Sequence, residues 1–202
     1  MYDTVEYIKS WKKDVYGWYC CPDENRFIKI KDNVIIGDMV TIGNRTTLGS
    51  GVKIGDMVTI GKYVTLSNGV EIDDKTIIGN YVTLSTEVKI SNKFPTDVGV
   101  KIGDMTKIGA RTKINGNVSI DTDVIIGCDV DIDYGVKIYD FAKIEDEVIL
   151  NKYVLVDTGA MIGSNVKIGN NAIIGRYALI FAGAQINNNT KIDGGIIIRS
   201  SN

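Results

Sequence analysis

No histidine occurs anywhere in this 202-residue chain. Imidazole is the side chain whose ordinary pKa lies near neutrality. Its absence excludes a histidine general base, a histidine-activated serine or cysteine nucleophile, and a histidine-ligated zinc. Cysteine is sparse: Cys20 and Cys21 are adjacent, Cys128 is far away, and no spacing matches a zinc site or a redox pair. No apolar run approaches the ~18 residues of a membrane span. The N-terminus shows no basic-then-apolar leader. These features predict a protein that is cytoplasmic on synthesis and has no membrane partner. A formal net charge of −2 gives no reason to expect nucleic acid.

What is present is a short period. From Ile30 to Ile198 an aliphatic residue falls at every sixth position, and of these 29 positions only Thr96 is not Ile, Leu or Val. Two residues earlier runs a second ordered column of 16 Val, 5 Thr and 5 Ala. One residue later stands a turn former, with 12 Gly, 6 Asp, 3 Asn and 3 Ser. Inward residues two apart predict a short strand. The Gly, Asp or Asn that follows predicts a corner, because these residues tolerate positive φ. Six residues of strand and corner cannot bury their own apolar face, so the units must stack as a parallel β-solenoid. Three hexads make a triangular coil of 18 residues, and Thr47-Leu48-Gly49, Thr65-Leu66-Ser67 and Thr83-Leu84-Ser85 recur at that spacing.

The pattern resembles the hexapeptide-repeat superfamily over residues 30–198. The resemblance implies an all-β fold, a left-handed parallel β-helix of about ten triangular coils. It also implies a homotrimer. Many members are acyltransferases that use acyl-CoA, commonly with a histidine base, which this chain cannot supply.

Residues 1–29 are expected to form a separate helix-and-hairpin cap or anchor before the β-helix of residues 30–202. A helix over 1–13 would be capped by Asp3 with Glu6, and strands Val15–Cys20 and Arg26–Lys29 would flank a turn at Pro22-Asp23-Glu24-Asn25. The cap protects the open edge of the first coil. As an anchor it would dock a protein partner through Tyr2, Val5, Tyr7, Ile8, Trp11 and Trp18.

Outward positions predict three ladders on three faces: Thr41/Thr59, Thr47/Thr65/Thr83 and Lys53/Glu71/Lys89. Residues 91–99, SNKFPTDVG, are irregular at Phe94, Pro95 and Thr96, yet the register resumes at Ile102. They predict a distorted corner without an extruded loop. Lys75, Lys93 and Arg111 are expected to stack 18 apart, and the acidic stretch 121–147 is a candidate cation site or partner patch. From about Leu150, large apolar residues occupy outward positions. Ile149, Tyr153, Leu155, Met161, Ile173, Tyr177, Leu179, Phe181 and Ile197 are therefore expected to form the trimer interface. The final edge is expected to be short, charged by Arg199, or covered by a partner.

No residue is singled out as catalytic, cofactor-binding or metal-binding. The residues favour a non-catalytic trimeric β-helix without cofactor. Such a chain would serve as a rigid fibre, spacer or decoration module, as in a phage virion, held through its N-terminal segment. The alternative is an acetyl-CoA-dependent acyltransferase acting on a sugar or amine with a non-histidine base. An ice-binding array is a third class, disfavoured because the Thr columns are short and lie on different faces.

Overall fold

Alternating inward residues produce two-residue strands in the computed structural model, which describes residues 3–22, 25–92 and 99–199. Among the described residues the strands form three sheets of twelve, nine and nine strands, parallel except for the two N-terminal strands that extend the first sheet antiparallel, and the whole is a parallel β-solenoid of about nine turns. We number the faces in chain order. Face 1 contains the pair Thr47/Thr65, face 2 contains Lys53/Glu71 and face 3 contains Thr41/Thr59. All three predicted ladders are therefore present, each on its own face.

The inward aliphatic column and the Val/Ala column two residues before it make one continuous buried core. Inward threonines keep their hydroxyls paired. Thr46, Thr76, Thr106 and Thr112 donate to corner carbonyls at 2.9–3.1 Å, which removes the cost of burying an unbonded hydroxyl.

The corners work differently from the expectation. Positive φ falls three residues after the inward aliphatic, not one, and 20 non-glycine residues adopt it there, Tyr63, Tyr81, Phe141, Tyr153 and Tyr177 among them. A left-handed L-residue costs about 1–2 kcal/mol. Inter-coil bonding offsets that cost: the Tyr63 N–H donates to Asn44 O at 2.8 Å and the Tyr81 N–H to Lys62 O at 2.9 Å. The glycine directly after the aliphatic answers to space instead. A Cβ on Gly43 would lie 2.4 Å from the carbonyl carbon of Gly61 in the next coil. The Asp or Asn beside it caps the preceding coil, as when the Asp38 N–H donates to Asp56 Oδ1 and the Asp56 N–H to Asp74 Oδ1, both at 2.8 Å.

One interruption changes the coil count. Partners are 18 apart elsewhere, as in Thr65↔Thr83, but Ile77↔Lys101, Thr83↔Lys107 and Lys89↔Lys113 are 24 apart. The stack therefore omits one hexad between Ile90 on face 2 and Lys101 on face 3. This corrects the reading of a simple distorted corner and gives about nine turns in place of ten. An insertion of six residues is invisible to a period of six. Phe94, Pro95 and Thr96 themselves lie outside the described residues, as does Lys93. Of the expected Lys75–Lys93–Arg111 column, Lys75 stands on the corner between faces 2 and 3 and Arg111 on the corner between faces 1 and 2, so these two do not stack. Arg111 donates its backbone N–H to Thr86 O, and its side chain is paired with Asp129.

The N-terminal segment covers the first coil. Helix α1 (Val5–Lys9) is shorter than expected and is capped by Thr4, whose Oγ1 accepts the Tyr7 N–H. Asp3 is not the cap. It is buried, and its Oδ2 accepts from Arg26 Nη1 and from the Ile42 N–H, both at 2.8 Å. Lys12–Lys13 is a strand and not a helix end. It pairs antiparallel with Tyr19–Cys20, which pairs in turn with Phe27–Ile30. The expected hairpin is thus present with a third strand, and its turn residues Asp23 and Glu24 lie outside the described residues.

The two causes of corner glycine separate by substitution. Gly43→Ala is expected to cost about 3 kcal/mol in urea unfolding, because the next coil must move. Gly51→Ala, at φ 69 with nothing within 4 Å of the new Cβ, should cost about 1 kcal/mol. Equal losses would show that coil spacing is not the limiting constraint.

Candidate functional site

The outward column of face 2 runs Lys53, Glu71, Lys89, Lys113, Asp131, and the corner position beside it runs Asp73, Ser91, Asn115, Asp133, Asn151. Between these columns lie two adjoining clefts of about 310 and 320 Å³ that share Lys113 and Asn115. Together they form one polar groove, and it lies directly before the corner where the stack omits a hexad.

The polar groups are held in place. Asp73 Oδ2 accepts the Asn92 N–H at 2.9 Å and the Ser91 hydroxyl at 3.3 Å. Asn115 Nδ2 donates to Asp133 Oδ1 at 3.2 Å. Glu71 accepts from Lys53 at 2.9 Å and has Lys89 3.8 Å away. The Lys53 hydrogen bond is the main reason its carboxyl sits below the usual glutamate range, with Lys89 adding to the effect. Lys89 and Lys113 are directly registered neighbours. Like charges stacked this way are unfavourable, and Lys113 has Asp131 3.8 Å away.

The acidic stretch 121–147 divides into separate structural tasks. Asp129 pairs with Arg111, with Nε–Oδ1 at 2.7 Å. Asp140 and Asp146 accept the N–H groups of Thr122 and Cys128, and Glu145 accepts from Ser164. Among the described residues no group of three potential ligands is placed to hold a metal ion.

The expected interface residues do not share one surface. Met161, Leu179 and Ile197 are on face 1, with Phe181 just past its edge. Leu155 and Ile173 are on face 3. Tyr177 stands on the corner between faces 3 and 1, its ring over Gly159. Ile149 is on face 2, and Tyr153 is on the corner between faces 2 and 3, edge-on to Tyr134 at 5.7 Å. The corner between faces 3 and 1 carries residues that the sequence reading missed. Tyr63 and Tyr81 stack at 4.9 Å there, followed by the exposed Met105 and Phe141. The matching positions between faces 1 and 2, among them Glu87, Arg111, Asp129 and Glu147, are polar or glycine throughout the described residues. The missing signal was the column: its members recur every 18 residues except across the omitted hexad.

The anchoring residues fare differently from the expectation. Ile8 is fully buried and Trp11 is 5% exposed, so both belong to the core and are unavailable to a partner. Tyr7 packs edge-on against Trp11 at 5.3 Å, and Arg26 covers the Trp11 ring at 4.9 Å. Val5 and Trp18 are half-buried, and Tyr2 lies outside the described residues.

The family model described as bacterial transferase hexapeptide (six repeats) matches residues 27–62, 51–86 and 141–182, just over half the chain. The chain belongs to the bacterial transferase hexapeptide family. Among solved structures, a Francisella novicida UDP-N-acetylglucosamine acyltransferase is similar with a TM-score of 0.74 and 24% identity, covering 78% of this chain and 62% of that one. LpxA of Acinetobacter baumannii follows with a TM-score of 0.58 and 18% identity, covering 85% and 71%. LpxA of Moraxella catarrhalis, a UDP-N-acetylglucosamine O-acyltransferase, has a TM-score of 0.51 and 20% identity, covering 79% and 62%. The chain therefore spans about 62% of the length of two of these enzymes, and the likeness establishes the shared fold. No curated protein matches the sequence. Among the described residues no helix is long and apolar enough to cross a membrane. Nothing in these findings supports a fibre, decoration or virion protein.

One ionisable group offers a test of the corner chemistry. Burial pushes the Asp121 carboxyl above the usual aspartate range, with Asp140 adding to the rise. An acid whose pKa is raised by folding loses stability as pH climbs from its unfolded pKa through its folded one. Asp121→Asn is therefore expected to raise the melting temperature at pH 7, with the gain vanishing near pH 3. A variant that is destabilised at pH 7 would assign Asp121 a favourable contact instead.

Proposed function

We propose that this chain is an acyltransferase of the hexapeptide family that moves an acyl group from acyl-CoA to a polar acceptor bound in the face 2 groove. The observation that carries this reading is the coincidence of the groove with the omitted hexad: the uniform stack is broken beside the polar cleft. A rigid spacer needs neither feature. The acyltransferase activity named for the similar structures supports the same reading. Asp73 is the carboxylate best placed to take a proton, because Ser91 and Asn92 fix one of its oxygens and leave the other for the acceptor.

The working assembly is a homotrimer with the corner between faces 3 and 1 turned toward the axis. Tyr63, Tyr81, Met105, Phe141 and Tyr177 line that corner, and the outward aliphatics Leu155 and Ile173 on one side and Met161 and Leu179 on the other flank it. In a closed three-fold ring, face 1 of one copy meets face 3 of the next, so both flanks are covered at once. Ile149 and Tyr153 fall outside this interface.

Calorimetry with acetyl-CoA is expected to show micromolar binding with one site per subunit, and no heat at millimolar ligand would overturn the acyltransferase reading. For the assembly, Leu155→Asp combined with Leu179→Asp should give monomers or aggregates in sedimentation velocity, whereas Ile149→Asp should leave the trimer intact. A trimer that survives the first pair would place the interface on another edge.

A further inference from the structure

The hairpin at the N-terminal end breaks a local rule without a structural gain. Strands Lys12–Lys13 and Tyr19–Cys20 pair antiparallel and extend face 1 beyond the first coil. The turn between them is firmly built. The Asp14 N–H donates to Trp18 O at 2.9 Å and the Gly17 N–H to Asp14 O at 3.1 Å. Asp14 Oδ1 accepts the N–H groups of Tyr16 at 2.9 Å and Trp18 at 2.8 Å. Gly17 supplies the positive φ, 87°, that closes such a loop. Val15 and Tyr16 are left at the tip. Tip positions ordinarily go to Asn, Asp, Ser, Pro or Gly. Here Val15 is 93% and Tyr16 76% exposed, the highest values for large hydrophobic residues among those described.

Single exposed apolar side chains are ordinary on any surface, but this pair has unusual surroundings. Lys29 lies over the Trp18 ring at 5.7 Å and Lys13 over the Tyr19 ring at 5.1 Å. The stems of both lysines reach Gly17, where a Cβ would stand 3.4 Å from Lys29 Cε and 3.9 Å from Lys13 Cε. Among the described residues no carboxylate pairs with Lys12, Lys13 or Lys29. The one acid of the turn, Asp14, is engaged by backbone N–H groups. The tip is thus two apolar side chains ringed by indole, phenol and ammonium groups.

That chemistry selects the partner. A stable protein interface takes about 800 Å² from each side, which a convex tip of two residues does not offer. A bilayer makes no such demand. It accepts a narrow apolar tip at the headgroup boundary, with Trp and Tyr at the same depth and Lys on anionic phosphates. We propose that the turn Asp14–Gly17 docks this protein on an anionic phospholipid bilayer. Val15 and Tyr16 enter the interface, and Lys12, Lys13 and Lys29 meet the headgroups. This docking does not depend on acyl transfer in the face 2 groove. It departs from the expectation of no membrane partner, which rested on the lack of an apolar span; an interfacial tip requires none. Tyr19–Cys20 runs antiparallel to Phe27–Ile30, with Tyr19 opposite Ile28, so the turn lies towards the corner between faces 1 and 2. It is therefore clear of the aromatic corner assigned to self-association.

Co-sedimentation of the full-length protein compares vesicles of phosphatidylcholine alone with vesicles in which about a third is phosphatidylglycerol. The anionic vesicles are expected to bind at least tenfold tighter, with affinity falling as salt is raised. Val15→Ser with Tyr16→Ser should weaken binding at least tenfold and leave the melting temperature unchanged, since both side chains are exposed. Lys13→Gln with Lys29→Gln should weaken it about twentyfold, near fivefold per lysine. Lys191→Gln, an exposed lysine in the last coil, should change nothing. Trp18 is an internal reporter because Trp11 is buried: emission should shift to the blue on anionic vesicles, and not in Trp18→Phe. No binding to anionic vesicles at low salt overturns the proposal and leaves a protein as the occupant of the tip. Equal binding to both vesicles, or binding that survives both double substitutions, overturns it as adsorption elsewhere. Binding with unshifted Trp18 emission overturns it too, because the tip has then not entered the interface.

Discussion

The hydrogen-bonded contact between successive coils governs the rest of this structure. Parallel strands sit ~4.8 Å apart, so each position is repeated against its equivalent in the coils on either side. Whatever residue stands at a position must tolerate its own neighbour at that distance. Inward, that constraint selects Val, Ile and Ala, which are buried along the length of the prism. At the corners it selects glycine where backbones nearly touch and Asp or Asn where a carboxamide or carboxylate can cap the coil below. The same constraint explains why bulky residues can hold positive φ. Their N–H groups are tied to the preceding coil, and tertiary bonding outweighs a local preference of about 1–2 kcal/mol.

Because the core is nearly uniform, individuality lives on the outside, and the three edges of the prism have separated chemically. The edge between faces 1 and 2 is ionic, held by pairs such as Arg111–Asp129. The edge between faces 3 and 1 gathers aromatic and aliphatic residues, with Tyr63 stacked on Tyr81, alongside Arg45 and Asp123. The edge between faces 2 and 3 carries the omitted hexad, with the polar groove beside it. A solenoid makes this division simple: one residue changed per coil along one column alters one edge and leaves the core alone. Self-association and chemistry can then occupy different sides of the same prism.

The fold was legible because the period of six is written into nearly every residue, and inward burial depends only on that period. What stayed hidden depended on the period of 18. The extra hexad between Ile90 and Lys101 preserves the first period and breaks the second, so every inward assignment survived it while the vertical columns were cut. Arg111 was therefore expected above Lys93, and its aromatic counterparts across faces 3 and 1 were not recognised as one edge. The positive-φ position was missed for another reason. It is filled by Gly, Asn or Asp at only half of its 26 described positions and by Met, Tyr, Phe, Lys, Arg or Glu at the rest, so its signal is weaker than the glycine run directly after the aliphatic. At the N-terminus, Asp3 looked like a helix cap by spacing, but the half-buried Arg26 and the Ile42 N–H on the first coil compete for its carboxylate, and Thr4 takes the cap.

The groove is where local rules are broken without a structural gain. Lys89 over Lys113 is a like-charge pair in direct register, and nothing in the stacking of the coils requires it, since Thr over Thr or Lys over Glu serves the same ladder elsewhere on the prism. Consistency between local preference and global fold holds along almost the whole chain, and in natural proteins the exceptions gather where function is served. The neighbouring carboxylates do not simply neutralise the pair, because they outnumber it and are fixed by Ser91, Asn92 and Asn115 in positions of their own. A cleft that keeps both signs of charge ordered and partly unspent is suited to a ligand that carries its own charge and several hydroxyls. Under the proposed function, that ordered mixture of charges, more than the shared fold, separates this chain from a passive spacer.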